Sequence, residues 1–430
     1  MLPKLIHPDP AQWNILLRRP SAKHPHLETQ VRAILSSVQT EGDTAVRRHA
    51  GRFDGHAPDP FLIDASEIQN VNLADDRLET AIQTAIANIR KFHTAQMPRE
   101  VVVETMPGVI CRSRALPIEK VGLYIPGGTA PLFSTLLMLA VPAQIAGCRD
   151  IVVCTPPGRD GKVSPVLLYA ARELGITQIY RVGGAQAIAA MAYGTESIPK
   201  VDKLFGPGNA YVTCAKILLQ TEGIAIDLPA GPSELAVLAD ASADPAFVAA
   251  DLLSQAEHGA DSQVLLVTDS PQFIEAVGLA LTRQLETLPR IDYIRQSLAH
   301  SFAVLVHDMN EGVALINSYA PEHLILACKD SELVADRIIN AGSVFIGPYT
   351  PESVGDYASG TNHTLPTNGH ARAYSGVTTA SFMKTISFQH VTREGLKTLA
   401  PAVMAMAEAE GLRAHARAVQ IRLQQETFEQ

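Results

Sequence analysis

Lys120-Val-Gly-Leu-Tyr-Ile-Pro-Gly-Gly128 is a short apolar run that stops at a glycine-rich turn, and a regular alternation begins there. Short β-like segments at Ile151–Thr155, Ile179–Val182 and Lys203–Phe205 alternate with helical patterns at Leu132–Ala146, Val163–Leu174, Ala185–Ala192 and Tyr211–Leu219. Alternating β and α segments of these lengths predict a parallel sheet with helices on its faces. A second series follows, with strands predicted at Leu235–Leu238, Gln263–Thr268, Ala303–His307, His323–Ala327 and Ser343–Ile346. The fold class is α/β, with two parallel-sheet units in tandem. Loops rich in Pro and Gly fall at 125–131, 155–161, 206–208, 229–232 and 347–356. In open α/β sheets the ligand crevice lies at the carboxyl ends of the strands, so the chemistry is expected there.

Upstream, residues 28 to 50 place Val31, Ile34, Leu35 and Val38 on one face and predict an amphipathic helix. A second helix is predicted from about Arg77 to His93, and β-like runs occupy Val101 to Tyr124. After about residue 378 the β signal fades. Leu396–Leu423 is an Ala-rich helical pattern with a thin apolar face and no aromatic residue, which must bury that face on something else, and a partner subunit is the expected cover.

Lys and Arg number 35 against 44 Asp and Glu, spread without long runs, so no basic stripe exists to follow a phosphate backbone and nucleic acid is excluded as a partner. The cysteines, Cys111, Cys148, Cys154, Cys214 and Cys328, have no C-x-x-C pair and read as reduced thiols. The N-terminus shows no export signal. Leu132–Ala146, the most apolar stretch, is broken by Ser134, Thr135, Pro142 and Gln144 and is shorter than a bilayer span of ~20 residues, so it reads as a buried helix. A cytoplasmic chain without a membrane partner is expected.

The nucleotide signatures are weak. Gly206-Pro-Gly208-Asn-Ala-Tyr211 begins like a dinucleotide fingerprint but lacks its third glycine, and Pro207 has no N–H to donate. Gly158-Arg-Asp-Gly-Lys162 does not have P-loop spacing.

Asp244-Pro245 supplies an N-cap and a first-turn proline for a helix that Gly259 closes. Gln255 and His258, three apart, share a face of it. Alone, His258 reads as an imidazolium favoured by the helix C-terminus, and a metal site needs further ligands. Gly347-Pro-Tyr-Thr-Pro-Glu-Ser-Val-Gly-Asp356-Tyr-Ala-Ser-Gly-Thr-Asn-His363 is a loop able to bring a carboxylate and an imidazole to one point; Asp356 as a turn cap and His363 in solvent is the plainer alternative. Ala320-Pro-Glu-His323 puts an acid and an imidazole just before an apolar strand. Neighbours along a strand point to opposite faces, so Glu322 and His323 are expected not to pair and to have separate proton-transfer tasks. In Glu410-Gly-Leu-Arg-Ala-His415 a continuous helix would separate acid and imidazole by roughly 140°, so a break at Gly411 is needed for both to face one site.

Taken together, the chain resembles the histidinol dehydrogenase family along essentially its whole length. The carrying segments are Val121-Gly-Leu-Tyr-Ile-Pro-Gly-Gly128, Phe205-Gly-Pro-Gly-Asn-Ala-Tyr-Val212, Ala230-Gly-Pro-Ser-Glu234, Leu253-Ser-Gln-Ala-Glu-His-Gly-Ala260, Ala320-Pro-Glu-His323, Gly355-Asp356, Ser359-Gly-Thr-Asn-His363 and Glu410-Gly-Leu-Arg-Ala-His415. The resemblance implies zinc held by Gln255, His258, Asp356 and, from the other subunit of a homodimer, His415. It implies Glu322 and His323 as the acid–base pair, and Ser233, His363 and Glu410 as substrate contacts beside the zinc ligands and His323. Tyr124, Gln186 and Asn209 correspond to residues that touch NAD.

The implied activity is oxidation of L-histidinol to L-histidine through bound L-histidinaldehyde, in two NAD-linked steps. The implied architecture is two incomplete Rossmann-like domains with a helical C-terminal tail exchanged in the dimer. Residues 1–20 are expected to form an N-terminal helical arm, and 21–126 plus 233–377 the main α/β domain with the substrate and zinc site. Residues 127–232 form an inserted NAD-contacting domain, and 378–430 the helical tail packing on the partner. A zinc hydrolase with Glu322 as water activator is a rival class, disfavoured because it needs no nucleotide domain. A non-catalytic α/β binding protein is another, and it leaves the acid–base and ligand residues unexplained.

Overall fold

The computed structural model describes residues 2–20, 26–55, 57–127, 132–228 and 231–424. Parts of the turns at 125–131 and 229–232, namely 128–131 and 229–230, lie outside the described residues. The chain divides into two compact units, Met1–Gln96 with Ile118–Phe382, and Met97–Pro117 with Met383–Gln430.

The first unit is α/β with two parallel sheets. The larger has the strand order Lys4–Ile6, Phe302–Leu305, Gln263–Thr268, Glu234–Ala239, His323–Ala327, Ser343–Ile346. Its central strands are buried along their whole length, as a sheet covered on both faces requires. Alternate residues go to opposite cores. Leu235, Val237, Val264 and Leu266 pack with residues of helices Pro245–Ala256 and Pro271–Leu285, while Ala236, Leu238, Leu265 and Val267 pack with those of Met309–Tyr319 and with Trp13.

The smaller sheet runs Ile179–Arg181, Asp150–Thr155, Lys120–Tyr124, Lys203–Phe205, Ala225–Ile226. Helix Phe133–Ala146 beside it is apolar all round and almost entirely buried. Pro142 within this helix has no N–H, which leaves the carbonyl of Met138 without its intrahelical donor. The Asn362 amide donates to that carbonyl at 2.6 Å and so anchors the chain next to His363.

Several expectations are corrected. The arm 1–20, expected to be helical, begins with the edge strand Lys4–Ile6, because Pro3, Pro8 and Pro10 disfavour a helix and the neighbouring strand offers a ladder. One-turn helices follow at Pro10–Gln12 and Trp13–Leu16. The helix read over 28–50 is two, Leu27–Glu41 and Asp43–Phe53, broken where Gly42 takes φ +55°. Both pack on the smaller-sheet core through Val31, Ile34, Leu35 and Val46, and that sheet starts at Lys120, so the domain boundaries at 126/127 and 232/233 do not follow the layers.

The second unit holds the expected C-terminal helices together with a strand that the sequence did not announce. Before its helices Arg393–Ala409 and Arg413–Gln424 comes a strand, Met383–Val391, paired antiparallel with Val109–Pro117, which also pairs Val101–Met106. Val109 is the only buried residue among these three strands, and the buried helix residues are Gly395, Ala400, Ala407 and Ala416. A strand that buries no face carries little apolar–polar alternation, which is why its β signal was faint. Gly411, at φ +74°, makes the break between the helices that the Glu410–His415 spacing required.

Candidate active site

The site forms at the amino ends of the larger sheet, not at the carboxyl ends where chemistry was expected. Glu234 and His323 are the first residues of neighbouring strands, and Glu322 precedes its strand in a bend after Ala320, whose φ is +52°. Because Glu322 is outside the ladder, strand alternation does not separate it from His323. Its Oε2 lies 3.6 Å from His323 Nδ1, which corrects the expectation that the two would not pair. The same Oε2 accepts the Glu234 N–H at 2.9 Å. His323 Nδ1 also lies 3.3 Å from the Glu234 carbonyl and 3.4 Å from Glu352 Oε1, and Nε2 lies 3.5 Å from Asp356 Oδ1.

The neighbouring donors come from two helices. Asp244 caps helix Pro245–Ala256, accepting from the Ala246 N–H at 2.7 Å, and Gln255 sits in its last turn. The helix stops at Ala256, so His258 lies in the following turn and not on the helix face, with its N–H 3.2 Å from the Gln255 carbonyl. Asp356, expected in a loop, lies on the short helix Glu352–Tyr357. Glu352 was overlooked in the sequence. Its spacing of four from Asp356, after Pro351, was the available signal. Donor atoms of His258, Glu352 and Asp356 lie within 4.8 Å of one another. Gln255 is fully buried with both amide atoms unpartnered, and both Glu352 oxygens lack hydrogen bonds. The converging donors of His258, Glu352 and Asp356 fit a divalent cation such as zinc, and the unpaired Glu352 oxygens and Gln255 amide are buried polar atoms that call for a partner.

The charges in the cluster act on one another. Burial alone would lower the His323 imidazole, but the carboxylates of Glu352, Glu322 and Asp356 push it up to about 10. Burial pushes Glu322 up to about 8 and Glu352 well above the usual carboxylate range. Burial would also raise Asp356, yet the hydrogen bond and charge of His323 hold it low, so Asp356 keeps the negative charge. His258 has an outer edge open to solvent (side chain 44% exposed), but the atoms packed around its ring push it down, as burial does for His363. His363 is fixed by its Nδ1, 2.9 Å from the Asp356 carbonyl, and its Nε2, 3.3 Å from the Thr135 hydroxyl.

Ser233 is half-buried beside Glu234, and its carbonyl accepts from the Gln263 N–H at 3.3 Å. Glu410 and His415 belong to the second unit, where both are exposed.

The smaller sheet does use its carboxyl ends. A cleft of about 950 Å³ there is lined by Tyr124, Pro156, Lys162, Gln186, Asn209 and Tyr211. It lies where the strand order reverses, between Lys120–Tyr124 and Lys203–Phe205, the position a doubly wound sheet gives its ligand. The Tyr124 hydroxyl accepts the Gly184 N–H at 3.1 Å, and the Gln186 amide is buried without a partner. Asn209 caps helix Ala210–Thr221, accepting from the N–H groups of Tyr211 at 3.0 Å and Val212 at 3.1 Å. The turn before it hangs on a buried ion pair between Lys216 and Asp227. Lys216 donates to the Gly206 carbonyl at 2.9 Å, and Asp227 accepts the Gly206 N–H at 2.7 Å.

The opposite ends suit opposite charges. Helices Gly184–Tyr193 and Ala210–Thr221 present N-termini to the cleft, where they favour phosphate. Helices Pro245–Ala256 and Met309–Tyr319 bring C-termini to the Glu322–His323 cluster, where they favour cations.

The sequence model of the family described as "Histidinol dehydrogenase" matches residues 17–423. The chain is similar to the histidinol dehydrogenase of Bacteroides thetaiotaomicron, 54% identical over 98% of this chain and 99% of that one. To that of Aliivibrio fischeri it is 51% identical over 96% and 94%. The crystal structure of histidinol dehydrogenase from Elizabethkingia anophelis superposes with a TM-score of 0.96 at 49% identity, covering 98% of each chain. With a match of this extent in both sequence and structure, the chain belongs to the histidinol dehydrogenase family.

Proposed function

We propose that the protein oxidises L-histidinol to L-histidine through bound L-histidinaldehyde, in two successive NAD-linked hydride transfers that end histidine biosynthesis. The observation that carries this reading is the buried Glu322–His323 pair beside a converging N/O donor cluster, within one unit that also holds a nucleotide-sized cleft. Zinc, held by Gln255, His258 and Asp356 together with His415 of the partner subunit, would anchor the substrate's nitrogens. NAD, against Tyr124, Gln186 and Asn209, would accept hydride.

In this reading His323 takes the alcohol proton in the first step. An aldehyde has no second hydride to give until it is hydrated, so Glu322 deprotonates the attacking water and His323 serves again as base for the gem-diol. The surrounding carboxylates alone hold a proton on His323, and a divalent cation bound by Asp356 and its neighbours would offset that negative charge and free Nε2 to act as base, with the Glu234 carbonyl receiving Nδ1–H. Ser233 and His363, with Glu410 of the partner subunit, complete the substrate contacts, and burial keeps the aldehyde from escaping between steps.

The second unit supports a homodimer with an intersubunit site. Val101, Val102, Ile386, Met406, Leu412 and Ile421 are exposed on a unit with almost no core, and a second copy of the chain is the partner that would cover them. No helix among the described residues is long and apolar enough to cross a membrane, and we place the enzyme in the cytoplasm.

The test is stoichiometric. Purified protein given limiting L-histidinol should form two NADH per substrate, and a chelator should stop the reaction until zinc is restored. One NADH per substrate, or full turnover in protein shown by elemental analysis to be metal-free, overturns the corresponding part.

A further inference from the structure

We infer that Arg19, on the N-terminal arm, is a positioning residue for Glu322 and governs the second half-reaction; this rests on the roles proposed above for Glu322 and His323. The Arg19 side chain is 16% exposed and that of Glu234 is 2% exposed. The guanidinium forks onto the Glu234 carboxylate through Nε and through Nη2 at 2.9 Å. Nη2 also donates to the carbonyls of Tyr319 at 2.8 Å and Ala320 at 3.3 Å, and the group lies 3.9 Å over the Tyr319 ring. The Tyr319 hydroxyl donates to Gln263 Oε1 at 2.8 Å, with Glu234 Oε2 at 3.4 Å.

These contacts grip Glu322 from both sides. On one side is the kink that delivers it, where Ala320 holds a left-handed backbone that a residue with a Cβ adopts only under constraint. On the other is Glu234, whose N–H is the hydrogen-bond donor to Glu322 Oε2. One planar, five-donor cation satisfies both a carboxylate and two carbonyls, a combination that a lysine ammonium cannot reproduce. His323 also meets Glu234, through its carbonyl at 3.3 Å, but Glu352 and Asp356 face the ring from a separate helix and hold it independently of the clamp.

The two half-reactions should therefore respond unequally. In single-turnover measurements, Arg19→Lys and Tyr319→Phe should oxidise L-histidinol within about threefold of the unmodified enzyme. Oxidation of L-histidinaldehyde should slow by about 10- to 100-fold for Arg19→Lys, the scale expected for a small misplacement of a reacting group, and less for Tyr319→Phe. The loss should appear in kcat and not in KM, and guanidinium ion should restore it in Arg19→Ala. Equal slowing of both half-reactions in folded Arg19→Lys, or an Arg19→Ala that guanidinium leaves unchanged, overturns the inference. If the unmodified enzyme itself fails to oxidise the aldehyde, the proposed function is what fails.

Discussion

His323→Asn should lose both half-reactions, while Glu322→Gln should retain alcohol oxidation better than aldehyde oxidation. The expected size is that of a positioned general base, about 10²–10⁴-fold. In the proposed function His323 serves whenever a proton leaves the substrate oxygen, which happens in each oxidation. Glu322 is needed only where water must be activated, and the Glu322→Gln amide can still meet the Glu234 N–H through its oxygen, so the fold is preserved. Single-turnover rates with L-histidinol and with L-histidinaldehyde measure the two separately. Equal losses for Glu322→Gln would show that the pair acts as one base and not in two roles.

Mixing two dead enzymes should produce a live one. If His415 acts in the site of its partner, a hybrid dimer of His323→Asn with His415→Asn has one site carrying both lesions and one carrying neither. With equal co-expression and random pairing, about half of the dimers are hybrids with one live site each, so activity near a quarter of the unmodified enzyme is expected. Were the tail to serve its own chain, every site in the hybrid would carry one lesion. Differential tags isolate the hybrid, and activity no higher than the single variants would exclude the shared site.

The α/β class and the tandem parallel units were legible because strands buried on both faces are written as short continuous apolar runs, as in Gln263–Thr268. The cap at Asp244 and the break at Gly411 were legible because each depends on local backbone chemistry. What escaped was long-range. Met383–Val391 pairs with a segment some 270 residues earlier and buries no face, so no local pattern announced it. Glu352 lies in the Pro- and Gly-rich segment 347–356, and only the helix it forms turns it toward His323. Arg19 lay in an arm read for its secondary structure alone, and its meaning depends on Glu234 and on the carbonyls at 319 and 320. The carboxyl-end rule served the smaller sheet and misdirected the reading of the larger one, because it presumes a ligand drawn to helix N-termini.

That inversion leaves the other rim of the larger sheet without duties. Asp269, His307, Asp308, Lys329 and Asp330 follow the strands Gln263–Thr268, Phe302–Leu305 and His323–Ala327 and are exposed, and none of them is assigned to substrate, metal or nucleotide. Exposed connections of this kind tolerate inserted chain well. An epitope, a fluorophore attachment point or a new pair of termini belongs on that rim, where the chain can be lengthened or reopened without disturbing the groups that handle protons.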